Sequence, residues 1–255
     1  MKKWIILTLP TFLLIGAGVY LSKSTRGEDS ESQSNEILTE APLPPPPPPP
    51  PQIEYELSQH KKKLFEFLKE CNLNGDKKDL VNACDYFDES IRNKAVLLAS
   101  NNEGTLNLGQ ICDIFDYCYK NWRYVNDPRV REFYSKASNT LANDLNGDCD
   151  DFAIIMCSMI LSIGGEARIN FAYDQESGHA FTEVNVGNGD IATFQEYISR
   201  RYYLSNDDNE FWIRKDKYGN NWMNLDWWAN RPAGKYFNYS NGTSFYIIQK
   251  YCENF

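Results

Sequence analysis

The hydrophobic period of the chain changes several times. Trp4 to Leu21 is almost wholly apolar, broken mildly by Thr8, Pro10 and Thr11. Its eighteen residues sit at the lower limit for crossing a bilayer and are long for the apolar region of a signal peptide. Lys2 and Lys3 precede it, which orients the N-terminus to the cytoplasm and the remainder outward. An uncleaved anchor is the expected reading. Gly16-Ala17-Gly18 offers a small-residue cleavage site as the alternative, and no cysteine follows that could carry a lipid. Ser22 to Ala41 is rich in Ser, Glu and Asn and reads as disordered. Pro44 to Pro51 is an unbroken proline run, which predicts a polyproline II rod of roughly 25 Å. It reads as a spacer holding a domain off the membrane.

Spacings of three and four residues then take over. They predict helices over Glu54–Glu70, Asp79–Leu98 and from Asn107 or Leu108 to about Trp122. Val125 to Val130, with Pro128, reads as a loop, and Phe133 to Asp144 as a short or broken helix. The apolar run Phe152–Ile163 reads as a buried helix closed by Gly164-Gly165. Beyond that pair the period drops to two. Ala167–Tyr173 and His179–Val186 are strands around an Asp174–Gly178 turn. Phe194–Tyr203 fits helix or strand equally. Phe211–Lys215 and Asn221–Trp227 flank Lys217-Tyr218-Gly219-Asn220, a strong hairpin signal, and Ser244–Gln249 is a last strand. Helices first and antiparallel strands afterwards define an α+β fold in which a buried helix packs on an antiparallel sheet, with extra N-terminal helices. The expected regions are 1–22 signal-anchor, 23–52 disordered and polyproline linker, 53–105 helical region and 106–255 main domain.

Composition adds three constraints. Net charge is −9, which argues against nucleic-acid binding. Aromatic residues make up 14% and most follow residue 115, so the core is expected to be aromatic-rich. Trp212, Trp222, Trp227, Trp228, Tyr236 and Phe237 read as packing residues, with a groove lined by Trp227 and Trp228 as the lesser alternative. The seven cysteines contain no CxxC pair and do not cluster as zinc ligands. In an exported domain Cys71 with Cys84 is the expected bridge. Cys112 and Cys118 fall on different faces of one helix and should not bond to each other. Cys157 reads as a core residue.

The stretch from Asn146 to Ala153 sets Cys149 after a glycine turn, at the start of the buried helix, where unpaired backbone N–H groups favour a thiolate. A thiol nucleophile needs a histidine oriented by a third group. The chain has two histidines. His60 stands beside Lys61-Lys62-Lys63 and reads as solvated, which leaves His179, with Asp226 as a strand-borne carboxylate. Asp150 and Asp151 read as first-turn structural acids. They would oppose a thiolate if they pointed at it, so at least one is expected to point away. Abundant Asp and Asn leave a calcium requirement as a minor idea; no cofactor or metal is otherwise implied.

Gly147-Asp148-Cys149-Asp150-Asp151-Phe152-Ala153 resembles the nucleophile segment of the transglutaminase-like superfamily. In that family a G-x-x-A-R segment follows, and here Gly164, Ala167 and Arg168 fit, with Arg168 nineteen residues past Cys149. The family's H-A-W-x-E-V strand is matched by His179-Ala180-Phe181-Thr182-Glu183-Val184, with Phe181 in the tryptophan position. Its W-x-x-L-D segment is matched by Trp222-Met223-Asn224-Leu225-Asp226, with Trp227 where proline is common. The Leu108–Val125 stretch, ending Asn121-Trp122-Arg123-Tyr124-Val125, is like the helix before the nucleophile. The resemblance covers about residues 108–228. It implies a papain-like fold of the bacterial cysteine-peptidase type, with Cys149 as nucleophile, His179 as general base and then acid, and Asp226 orienting the imidazole. Such a triad runs acyl transfer through a thioester, and hydrolysis of a peptide or amide is expected over crosslinking. The oxyanion would be held by the Cys149 backbone N–H and by Trp122 or Tyr124. Arg168 and Glu183 are expected to be structural. The expected partners are a peptide or protein substrate and, through the N-terminal segment, a membrane, with the domain extracytoplasmic. The alternative is a non-catalytic peptide- or cell-wall-binding module on a stalk.

Overall fold

The change of period at Gly164-Gly165 is the change from helices to sheet. The computed structural model describes Cys71 and residues 77–127, 133–175, 177–205 and 210–255. The apolar N-terminal stretch, the proline run and the Glu54–Glu70 helix lie outside them. Among the described residues no helix is long and apolar enough to cross a membrane.

The helix expected over Asp79–Leu98 is two, α1 (Lys77–Ala83) and α2 (Glu89–Ala99). Asp88 separates them. Its backbone is extended and its carboxylate accepts from Ser90 N at 2.9 Å, so it starts a new helix. Phe87, in the break between the two helices, is 85% exposed. Helix α3 (Leu108–Asn121) begins with a capping box, in which Asn107 and Gln110 each accept from the other's backbone N–H. It buries Ile111, Ile114, Phe115 and Cys118. Strand β1 (Arg123–Tyr124) follows at once, then α4 (Ala137–Ala142) and β2 (Asn146–Gly147), which pairs parallel with β1. Helix α5 (Cys149–Ser162) is buried all round from Asp150 to Leu161, which suits its apolar sequence to the centre of the domain.

Six strands form one antiparallel sheet in the order β5-β6-β4-β3-β7-β8. They are β3 (Ala167–Tyr173), β4 (Gly178–Asn185), β5 (Ile213–Lys215), β6 (Asn221–Asn224), β7 (Asn241–Tyr246) and β8 (Tyr251–Asn254). The β5–β6 hairpin turns where its sequence signal placed it, with Asp216 accepting from Tyr218 N and Asn220 N. Alternation sorts the side chains of the sheet. Ile169, Phe171, Ala180, Val184, Met223 and Phe245 join the main core with α5. Thr182 Oγ1 donates to Ala153 O at 2.6 Å, fixing β4 against the first turn and a half of α5.

The other residues of β3 and β4 build a buried polar network around Glu183. Arg168 and Arg214 both donate to its carboxylate, at 2.7 to 2.8 Å, and Tyr236 donates through its hydroxyl. Burial alone would raise the Glu183 carboxyl, but the two guanidiniums hold it below its ordinary value. Arg168 also lies over the Trp222 ring and donates to Tyr246. Both Arg168 and Glu183 therefore have the structural role expected of them.

One open reading is resolved and two need correction. Phe194–Tyr203 belongs to a helix, α6 (Ile191–Tyr202), started by Asp190 accepting from Ala192 N. The last strand runs Asn241–Tyr246 and is followed by β8, whose mixed Tyr251-Cys252-Glu253-Asn254 sequence carries no clear alternation. Cys71 bonds to Cys252 on β8, across 181 residues of chain, and not to Cys84. Cys84 is instead drawn into the core against the Cys157 thiol. Cys157 is free and buried, as expected, and Cys112 and Cys118, expected not to bond to each other, are free and buried too.

Candidate active site

Three elements converge on the thiol. Gly147 and Asp148 lead into α5, so Cys149 is its first residue and the Cys149 N–H has no acceptor within the helix. The tight turn has a steric cause. A Cβ on Gly147 would stand 2.2 Å from Asp151 Oδ2, because the Asp151 side chain folds back beneath it. Strand β4 supplies the second part. The Ala180 backbone N–H bonds the Cys149 sulfur, setting the thiol against the His179–Ala180 peptide. This backbone donor carries no side-chain signature and was invisible in the sequence.

The third part is Asp226. It is not on a strand, as its motif suggested, but two residues beyond β6, where it starts the 3-10 turn Trp227–Ala229. Asp226 Oδ1 accepts from Trp228 N at 3.0 Å, and Oδ2 lies 2.8 Å from His179 Nε2. Asn224 Oδ1 accepts from Asp226 N at 3.2 Å and Asn224 Nδ2 donates to Gly234 O, so a neighbouring side chain holds the turn. His179 and Asp226 are both buried. With Nε2 committed to the carboxylate, Nδ1 is the nitrogen left to exchange a proton with sulfur.

The surroundings of the thiol favour its protonated form. Burial pushes Cys149 up to about 12, the Ala180 N–H pulls it back in part, and Asp148, Asp150 and Asp226 push it further up. Desolvation and the neighbouring carboxylates act against the thiolate that a helix N-terminus favours. Asp151 is the acid directed away. Its Oδ1 accepts from Ser135 N at 3.0 Å. Burial raises its carboxyl to about 6, the Ser135 N–H opposes this, and Asp148 adds to it. Asp148, Asp150 and Asp151 hold one oxygen each within 4.8 Å of one another. Such hard-oxygen donors are of the type that takes a divalent cation.

The two candidate oxyanion residues are brought beside the cysteine turn by β1. Arg123 N donates to Leu145 O and Val125 N to Gly147 O, so Trp122 and Tyr124 flank the segment that carries Cys149. The Trp122 ring meets Phe152 edge-on at 5.0 Å, and its buried Nε1 has no acceptor among the described residues. Tyr124 is 46% exposed and tilted against Trp227 at 5.0 Å. Burial and then the nearby Cys149, Asp148 and Asp150 raise its phenol. Aromatic rings also surround the histidine. Phe237 lies 5.1 Å and Trp228 6.5 Å from His179, and Trp228 is 63% exposed. Trp228 thus borders the site, while Trp227 also packs against the edge of the main core and Phe237 against the Phe181–Tyr236 cluster.

Residues 98–227, half of the chain, match the family model of the transglutaminase-like superfamily, and the chain belongs to that superfamily. Among solved structures it is similar to a candidate cysteine protease from Cytophaga hutchinsonii, at 20% identity and a TM-score of 0.32, over 38% of this chain and 33% of that one. A candidate protease from Parabacteroides distasonis is similar at 14% identity and a TM-score of 0.35, over 44% of this chain and 25% of that one. Calcium-bound LapG from Legionella pneumophila is similar at 15% identity and a TM-score of 0.31, over 67% of this chain and 76% of that one. The chain thus spans a third or less of the first two structures. No curated protein matches it.

Proposed function

We propose that this chain is a thiol-dependent acyl-transfer enzyme that acts on peptide or amide bonds, with hydrolysis favoured, and that its N-terminal segment holds it at the outer face of a membrane. The observation that carries the chemistry is the buried His179–Asp226 pair, whose histidine stands on the same strand start that gives the Ala180 N–H to the Cys149 sulfur. A thiol raised to about 12 acts through a general base rather than as a standing thiolate. The sulfur attacks the carbonyl carbon while its proton passes to His179 Nδ1. The oxyanion that forms is met by the Cys149 N–H, with Trp122 Nε1–H or the Tyr124 hydroxyl as second donor. The C–N bond breaks as His179 returns the proton to the departing amine, leaving a thioester. Water then attacks with His179 again as base, the carboxylic acid departs and the thiol is restored. Asp226 holds the ring and stabilises its charged form.

Incubation of the full-length protein with a peptide library and amine probes tests this reading. New termini or amine adducts are expected for the wild type and not for Cys149→Ala. Equal product patterns for the two would reject it. The membrane assignment predicts recovery in the membrane fraction, and release of a species lacking the apolar segment would overturn it. A second reading, a peptide-binding module without catalysis, is favoured by the protonated resting thiol and by the exposed rings of Tyr124 and Trp228. It predicts that Cys149→Ala keeps the phenotype that deleting the domain removes.

A further inference from the structure

Cys149 and His179 stand on different elements, so the place of the sulfur against the imidazole depends on how α5 lies over β4. Alternation turns Ala180, Thr182 and Val184 to one side of the strand. Ala180 and Val184 join the main core with α5, and Thr182 meets α5 through its Oγ1, which donates to Ala153 O at 2.6 Å. Phe181 packs on the other side, against Tyr236. Thr182 is 0% exposed and faces a helix buried all round from Asp150 to Leu161. A valine would fill that place with no hydroxyl to desolvate, so the hydroxyl calls for a role beyond packing. It is not there to satisfy the carbonyl, because Ala153 lies inside α5, where its oxygen already accepts from the N–H four residues on.

The position of Ala153 supplies the role. It lies four residues past Cys149, about 6 Å further along the helix. Thr182 lies two residues past Ala180, about 6.6 Å further along the strand at roughly 3.3 Å per residue. One helical turn thus matches one repeat of the strand. Two contacts stand as successive rungs between the elements, the Ala180 N–H on the Cys149 sulfur and the Thr182 hydroxyl on Ala153 O. A slip of α5 along β4 that breaks one rung breaks the other. The first rung ends on a weak acceptor that is also the reacting atom. The second is a short bond to a backbone oxygen and takes no part in the chemistry.

We propose that Thr182 is a positioning residue, whose hydroxyl holds α5 in register on β4 and so sets the Cys149 thiol against the His179 imidazole. Thr182 is closed to solvent and about 10 Å along the strand from His179, so it touches neither substrate nor the reacting atoms. Its effect on turnover rests on the acyl-transfer reading given above; its effect on register does not.

Thr182→Val keeps the shape of the side chain and removes the donor, whereas Thr182→Ser keeps the donor and removes a methyl group. In the full-length protein Thr182→Val should lower turnover by about tenfold or more with KM changed by less than about twofold, and Thr182→Ser should keep at least about a third of it. Activity that simply follows the melting temperatures of the two variants would overturn positioning. A loss of about tenfold in Thr182→Ser, where the donor remains, would do so whether or not Thr182→Val folds. Hydrogen exchange gives a readout that needs no turnover. The Ala180 amide should exchange about tenfold faster or more in Thr182→Val than in the wild type or Thr182→Ser, with the Ile169 amide on β3 unchanged. Equal protection of Ala180 in all three proteins would refute the register role. A wild type that forms no product, with Ala180 responding as stated, would overturn the acyl-transfer reading alone.

Discussion

His179 Nε2 and Asp226 Oδ2 stand 2.8 Å apart with the carboxylate closed to solvent. A buried carboxylate fixes both the tautomer and the orientation of the ring, so its loss should be felt in the chemical step. Asp226→Asn can still accept from Trp228 N, which preserves the 3-10 turn. It is expected to lower turnover by about 10²- to 10⁴-fold with little change in KM. A drop confined to KM, or a melting temperature that falls in step with activity, would assign Asp226 a structural role alone.

The protonated thiol makes a distinct kinetic prediction. With Cys149 near 12, its alkylation by iodoacetamide should rise about tenfold per pH unit from pH 7 to 10 without levelling off. Mass analysis of the peptide bearing Cys149 separates it from Cys84, Cys112, Cys118 and Cys157, all of which are buried. A plateau below pH 8 would mean that a standing thiolate is present and that desolvation does not prevail. His179→Ala should leave this resting profile nearly unchanged and still abolish turnover.

The legible parts of the site were those encoded by side chains at fixed spacing. Cys149 opening an apolar helix, His179 opening a strand and the order Cys-His-Asp follow from such patterns, and so did the α+β division at Gly164-Gly165. What escaped was set by backbone or by competition between terms. The Ala180 N–H has no sequence signature, and β8 lacks alternation. The sign of the Cys149 shift depends on weighing a helix end against burial and three carboxylates, which a sequence cannot do. The Cys71 pairing failed for a related reason. Proximity in sequence favoured Cys84, whereas Cys252 reaches Cys71 only because β8 folds back on β7.

Asp151 should make stability depend on pH in an unusual direction for a carboxylate. Its folded value, about 6, exceeds the ordinary carboxylate value near 4. The folded state therefore holds the proton more tightly, and this contribution is complete below about pH 4 and lost as pH rises through about 6. At neutral pH the ionised group costs about 1–3 kcal/mol. Asp151→Asn can retain the acceptor for Ser135 N and should melt higher than wild type at pH 8, with the difference shrinking toward pH 5. Parallel melting curves across that range would show that Asp151 is not shifted upward.

Gly147→Ala tests the packing beneath the cysteine turn. The added methyl meets Asp151 Oδ2, Cγ and Cβ at 2.2 to 2.7 Å, so either the turn or the first turn of α5 must move. Destabilisation of about 2 kcal/mol or more is expected, seen as a fall in melting temperature of about 4–8 °C. Pairing it with Asp151→Ala supplies the control. If the clash is the cause, removing the carboxylate should recover part of the loss, and strict additivity of the two changes would place the strain elsewhere.

The Cys71–Cys252 bridge ties the first described residue to the last strand, closing a loop of 181 residues. A link between such distant positions restricts the unfolded chain strongly and should contribute about 2–5 kcal/mol. It also fixes β8, an edge strand paired only with β7 among the described residues. Reduction should therefore lower the melting temperature by about 5–15 °C and should release β8 before the centre of the sheet. Hydrogen exchange with and without reductant separates the two effects. Amides of Tyr251 to Asn254 are expected to lose protection first, while Ile169 and Val184 in the central strands keep theirs. Uniform loss across β3, β4 and β8 would mean that the bridge acts on the whole domain through the unfolded state and does not serve to hold this edge.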